Sequence, residues 1–252
     1  MAFHHSPRIV TDGLALALDC LDKNSYPGSG STSWNDISGN NLSGSLSSGT
    51  IGTTTPGVMT FTGTAASSYC TVQNPHDGLA RPSGDPLTCE VWAKDLGDTG
   101  YYLGKSRGVD PVWGEFDFGI DGNRKVNMWW SDGNWGGARS TTAAVTANNW
   151  FHVCITKKAN ANSPSGCSIY VNGVSLGVEC YTESGPYCGV NTIINGVADT
   201  YPAHLKVGTG DITNQDGSGL NAQIPIVRVY WKALSTSEVL QNFNAQRSRF
   251  GV

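Results

Sequence analysis

The chain has 252 residues with a net charge of −4, from 16 Lys and Arg against 20 Asp and Glu, and 38% of its residues are hydrophobic. Basic residues form no run longer than a pair, as at Lys157-Lys158 and Arg124-Lys125, with Arg247 and Arg249 near the end, so the footprint of a nucleic-acid binder is missing, and no apolar run approaches the ~18 residues of a membrane span. With 32 Gly, 14% charged residues, 8 Trp, 9 Tyr and 7 Phe, the composition describes many turns around an aromatic core, which excludes disorder and points to an all-β chain.

Residues 1–12, opening Met1-Ala2-Phe3-His4-His5-Ser6-Pro7-Arg8, read as an N-terminal arm that moves freely or docks on a partner. They lack the apolar core of a secretory signal, so synthesis in the cytoplasm is expected. Residues 13–252 read as a single sandwich domain, because one β-sandwich of this length is ordinary and no repeat, linker or composition shift marks a second unit. The apolar run Leu14-Ala15-Leu16-Ala17-Leu18 ends at Asp19, and residues 26–63, rich in Gly, Ser, Thr and Asn, predict loops with short strands, 58–61 among them. From Leu87 onward β-rich runs alternate with turns, predicting strands over 87–94, 101–105, 115–120, 125–130, 150–156, 168–171, 174–178, 204–208 and 224–231. Asp121-Gly122, Asp132-Gly133 and Asn172-Gly173 supply the positive-φ residues that tight hairpins need, the last most clearly. A single helix is predicted over 235–249: Ser235-Thr236-Ser237-Glu238 fits a capping box, and Val239, Leu240 and Phe243 form an apolar stripe.

The seven cysteines (Cys20, Cys70, Cys89, Cys154, Cys167, Cys180, Cys188) are scattered without a C-x-x-C pair, which argues against zinc. Cys89 and Cys154 sit in strand patterns as small buried hydrophobes. Disulfides are not expected without an export signal, although Cys180 and Cys188 stand close together in a Gly/Pro-rich stretch.

Several blocks together resemble the laminin G-like branch of the concanavalin A-like lectin/glucanase superfamily, over nearly the whole chain. They are Thr11-Asp12-Gly13-Leu14 through Asp19, Ser25-Tyr26-Pro27-Gly28-Ser29-Gly30 leading to Trp34-Asn35-Asp36-Ile37-Ser38-Gly39-Asn40, Glu90-Val91-Trp92-Ala93-Lys94, and Val227-Arg228-Val229-Tyr230. The most specific is Trp150-Phe151-His152-Val153 followed by the Ile169-Tyr170-Val171-Asn172-Gly173 hairpin. The opening segment and the tail, Ala233-Leu234-Ser235 through Asn242-Phe243-Asn244-Ala245 to Arg249-Phe250-Gly251, resemble the versions found in virion structural proteins of tailed phages. Two departures bear on edge geometry: Pro225 interrupts the last strand and removes a ladder amide, and Ala222 stands where relatives carry Gly. The resemblance implies a two-sheet antiparallel jelly-roll sandwich with one short C-terminal helix. It also implies a non-enzymatic virion protein, a capsid decoration or a tail or fibre adhesin on the virion surface. Its partners are other virion proteins, further copies of itself and surface glycans.

Two rival functions follow from the same residues. Strand alternation puts Glu115, Asp117 and Asp121 on one face, and retaining glucanases of this superfamily present a similar carboxylate row, so a glycoside hydrolase using Glu115 and Asp117 is one alternative. The second Glu of that pattern falls here on Gly119 or Ile120, however, and Asp121 suits an Asp-Gly turn, so a strand with a solvated polar face is favoured. A free soluble lectin is the other alternative. For glycan contact the candidates are Trp129, Asp132, Asn134 and Trp135, since sugars stack on indole faces while Asp and Asn bond hydroxyls. Alternation sends Val126, Met128 and Trp130 inward and Asn127 and Trp129 outward; the bland reading has the indoles covering a sandwich edge or a neighbouring subunit. Trp92 is a further outward aromatic by parity, and His152 is expected to be structural. No cofactor is expected, although many relatives bind calcium, for which Asp211-Ile212-Thr213-Asn214-Gln215-Asp216-Gly217 offers oxygens without EF-hand spacing.

Overall fold

The computed structural model describes residues 8–54, 57–63, 67–72, 86–97, 99–105, 116–131, 135–159, 164–180, 204–210 and 219–252, and its apolar runs form two antiparallel sheets. In chain order the strands are β1 Leu14–Asp19, β2 Ser33–Trp34, β3 Gly44–Leu46, β4 Ile51–Thr54, β5 Gly57–Thr62, β6 Cys70–Val72, β7 Leu87–Asp95, β8 Gly100–Lys105 and β9 Phe116–Ile120. They continue with β10 Val126–Ser131, β11 Trp135–Ser140, β12 Trp150–Lys157, β13 Cys167–Val171, β14 Val174–Leu176, β15 Val178–Cys180, β16 Leu205–Val207 and β17 Asn221–Tyr230, before the helix α1 Thr236–Gln246. The first sheet runs β14, β13, β12, β7, β17, β5, β4, with β1 also on β17. The second runs β15, β11, β10, β9, β8, β16, β6, β3, β2. This is the expected jelly-roll sandwich.

Alternation builds the interior. Leu16, Leu18, Val91, Ala93, Val153, Ile155, Val227 and Val229 from the first sheet meet Leu103, Phe116, Phe118, Val126, Met128 and Val207 from the second, each buried side chain contributing about 1.5–3 kcal/mol. Pro225 sits inside a bulge of β17 between Gln223 and Ile226, where no ladder amide is needed. The bulge slips the alternation by one: Ala222 and Ile224 face the core, Ile226 does not, and Val227 does again. Arg228 is thereby sent to the outside of the sheet. At the same point β17 exchanges β5, paired through Gln223, for β1, paired from Ile226.

That outer face is covered by a third layer. Val239, Asn242 and Phe243 of α1 are buried against it, together with Val10, Leu234, Tyr170 and Tyr230. Trp92, expected outside by parity, is 0% exposed, because Phe243 and Phe250 lie on it with ring centroids 5.7 and 4.4 Å away. Parity located its face correctly but not the helix that covers it. The capping box forms as predicted: Ser235 N donates to Glu238 Oε2 at 2.8 Å while Glu238 N donates to the Ser235 hydroxyl at 3.4 Å. Ser235→Ala is expected to lower stability by about 1 kcal/mol, read as a shifted denaturation midpoint. The helix ends at Gln246, and Arg247–Arg249 is a 3₁₀ turn instead of the last helical turn expected.

Beneath α1 lies a buried polar network. Arg228 stands directly opposite Glu90 across β17 and β7 and its Nη1 donates to Glu90 Oε1 at 2.5 Å. Asn242 donates from Nδ2 to Glu90 Oε2 at 2.7 Å and to the Tyr230 hydroxyl at 2.9 Å, while its Oδ1 accepts from Val10 N at 2.7 Å. His152 Nε2 lies 3.5 Å from Glu90 Oε1. Burial, the largest influence on Glu90, would raise its carboxyl, yet the Arg228 guanidinium, the His152 ring and the Asn242 amide hold it down at about 2. Residues 8–12 are fastened here too: Tyr230 Oη donates to the Val10 carbonyl at 3.2 Å, Gln241 Nε2 to the Arg8 carbonyl at 2.7 Å, and Lys232 Nζ to Asp12 Oδ2 at 2.7 Å.

One more expectation is corrected. The single strand predicted over 174–178 is two strands in different sheets, β14 on β13 and β15 on β11, because the chain crosses between the layers at Gly177. A Cβ at Gly177 would stand 2.6 Å from Thr141 Oγ1, so any larger residue at the crossing would have to displace the Thr141 side chain. Cys180, one of the two cysteines excepted from the general expectation of thiols, is disulfide-bonded to a partner outside the described residues. Cys20, Cys70, Cys89, Cys154 and Cys167 are free and buried. Burial pushes the Cys70, Cys89 and Cys154 thiols far up, which makes them poor nucleophiles.

Candidate functional site

The site is built on the face of the second sheet that turns away from the core. Asp121 Oδ1 accepts from the backbone of Asn123 at 2.9 Å and of Lys125 at 3.0 Å, which closes the β9–β10 turn and sets the register. Trp129 then faces Asp117 on one side and Gly137 on the other, and Asn127 faces Gly119 and Arg139. Since Phe116, Phe118, Val126, Met128 and Ala138 point into the core, Asp117, Asn127, Trp129 and Arg139 share the opposite face.

The face is not openly solvated, which corrects the expectation for β9. Asp117 is 5% and Asn127 2% exposed. The segment Thr209-Gly210 passes over it: a Cβ at Gly104 would stand 2.6 Å from Gly210 Cα and from Asp117 Oδ1. Trp129 is half-buried. At the sheet end, Glu179 of β15 lies opposite Arg139, and its Oε1 accepts from Lys125 Nζ at 2.8 Å and Arg139 Nε at 2.7 Å. Those two donors lower the Glu179 carboxyl below the usual range. Arg139 Nη1 also comes within 3.6 Å of Asp121 Oδ2.

An indole edged by a guanidinium, a carboxamide and carboxylates can stack on a sugar ring and bond its hydroxyls. Of the predicted contact residues, Trp129 is placed on this face. Trp135 opens β11 opposite Ser131, with its side chain outside the described set, and Asp132, Asn134 and Glu115 lie outside the described residues altogether, as does the loop Asp211-Ile212-Thr213-Asn214-Gln215-Asp216-Gly217. For the hydrolase alternative, Asp117 is therefore described without Glu115, while Asp121 and Glu179 on the same face are committed to a turn and to cations. Among the described residues no group of three His, Cys, Asp or Glu stands close enough to hold a metal. Sequence reasoning did not single out Arg139 and Glu179, because β11 carries Gly136-Gly137 and β15 is separated from it by the sheet crossing. Asn127 was legible from its alternation with Met128.

A sequence profile of the concanavalin A-like lectin/glucanases superfamily matches residues 62–240. The chain belongs to this superfamily. No curated protein matches it in sequence. Among solved structures, this superfamily member is similar to the binding domain of Paraclostridial Mosquitocidal Protein 1, with a TM-score of 0.64 and 15% identity over 93% of the chain and 52% of that protein. The binding domain of Botulinum Neurotoxin DC in complex with SialylT gives 0.61 and 15%, again over 93% and 52%. Trypanosoma rangeli sialidase in complex with the inhibitor DANA gives 0.59 and 17%, over 96% of the chain and 34% of the sialidase. The chain thus spans about half or a third of these proteins, and at such identities the likeness is one of fold.

Proposed function

We propose that the chain is a non-catalytic, glycan-contacting module on the surface of a phage particle, a capsid decoration or a tail or fibre adhesin made in the host cytoplasm. The observation that carries glycan contact is Trp129, half-buried on the sheet face beside Asp117 and diagonal to the Arg139–Glu179 pair. Support comes from two similar structures described as binding domains, one of them bound to SialylT. The virion setting is supported by the opening and closing segments, which resemble phage proteins and meet through the Asp19–Arg249 pair. Further copies and other virion proteins are the partners of this reading, and copy number multiplies weak contacts into avidity.

On a glycan array the protein is expected to bind saturably, and Trp129→Ala to weaken binding by about tenfold, the scale of one lost stacking contact. Binding that ignores the substitution removes Trp129 as the contact, and no binding removes the glycan reading. Release of reducing sugar from a β-glucan, lost in Asp117→Asn, establishes the hydrolase instead. Mass spectrometry of purified particles is expected to find the chain; its absence leaves a free lectin.

A further inference from the structure

Between the outer side of β1 and the turn after α1 lies a cavity of about 390 Å³, within the size range of small-ligand sites. Arg228 lines it with a side chain only 3% exposed. Its Nη1 is given to Glu90, and its other nitrogens meet no acceptor among the described residues. Beside it, Asp19 holds Arg249 through two hydrogen bonds of 2.8 and 2.7 Å. Asp22 forms another wall: its Oδ1 accepts from Asn24 N at 2.8 Å, and its second oxygen meets no donor among the described residues. Leu14 and Ile37, the latter 40% exposed, add apolar surface.

Of the charges lining the cavity, Arg228 and Arg249 balance Asp19 and Asp22, and Glu90 pairs with Arg228 from behind, which leaves one negative charge in excess. That balance opposes an anion, and the open N–H groups of Arg228 oppose a cation. What fits is a neutral ligand whose hydroxyls accept from Arg228 and donate to Asp22 while C–H groups lie on Leu14 and Ile37. We propose that this cavity is a subsite for a neutral saccharide, on the opposite side of the sandwich from Trp129. The choice of ligand class rests on the glycan-contacting reading; the geometry does not.

The test is an NMR titration of ¹⁵N-labelled full chain, following the Arg228 Nε–H resonance, with methyl glucoside, methyl galactoside and N-acetylglucosamine as probes and sodium acetate as the anion. At least one sugar is expected to move the resonance saturably. Asp22→Asn, which keeps the cap on Asn24, and Ile37→Trp, which fills the mouth from an exposed position, are each expected to weaken that binding about tenfold or more. No shift with any sugar, or a saturable shift with acetate that Ile37→Trp abolishes, would overturn the subsite. Glycan-array binding that vanishes in Trp129→Ala while no sugar moves Arg228 leaves the proposed function standing and removes the subsite alone.

Discussion

Arg228→Met is expected to destabilise the protein by about 3–5 kcal/mol at neutral pH, because it leaves Glu90 as an uncompensated charge in a fully buried place. Among the described residues, Glu90 then keeps only the Asn242 amide and the His152 ring, whose Nε2 lies 3.5 Å away. Combining Glu90→Leu with Arg228→Met is expected to recover most of the loss, since removing both charges removes the desolvation penalty as well. Acid separates the variants further. Glu90 is held at about 2 in the folded chain, below its usual 4.5, so the stability it contributes is complete above about pH 4.5 and is lost as pH falls from there toward 2. In Arg228→Met burial is opposed only by the His152 ring and the Asn242 amide, so the same carboxyl moves up, and acidification relieves that variant while it weakens the unmodified protein. Urea midpoints measured from pH 7 to pH 3 should therefore converge, and curves that stay parallel sink the account.

Trp92→Ala is expected to remove about 3–5 kcal/mol, the range for emptying a large aromatic site. The loss has a place: Trp92 is stacked between Phe250 and Phe243, with interplanar angles of 18° and 8°, so the cavity opens under α1 and not in the main core. Amide exchange should accelerate over 236–246 and 8–12, while β9 and β10 stay protected. Uniform acceleration across both sheets would mean that the covering layer and the sandwich unfold as one unit.

The sandwich was legible where alternation and turn chemistry agree. Residues 87–94 and 150–156, the Asn172-Gly173 turn and the Ser235 cap all read correctly, because each depends on near neighbours in the chain. Trp92 was placed on the right face and given the wrong surroundings, since what covers it comes from about 150 residues further on. The crossing at Gly177 was hidden because both sheets ask for the same β-rich local pattern. At the candidate site, Trp129 and Asn127 follow from alternation within β10. Arg139 and Glu179 do not, because their pairing depends on which strand lies beside which.

The exchange of β5 for β1 along β17 also sets how the molecule bears load. Leu14 lies opposite Tyr230, so tension on the two chain ends peels this strand pair apart one rung at a time instead of shearing all its rungs together. The resistance then falls to the clasp outside the pair, Lys232 between Asp12 and Glu238 and Asn242 on Val10, and once that clasp opens, unravelling proceeds at low force.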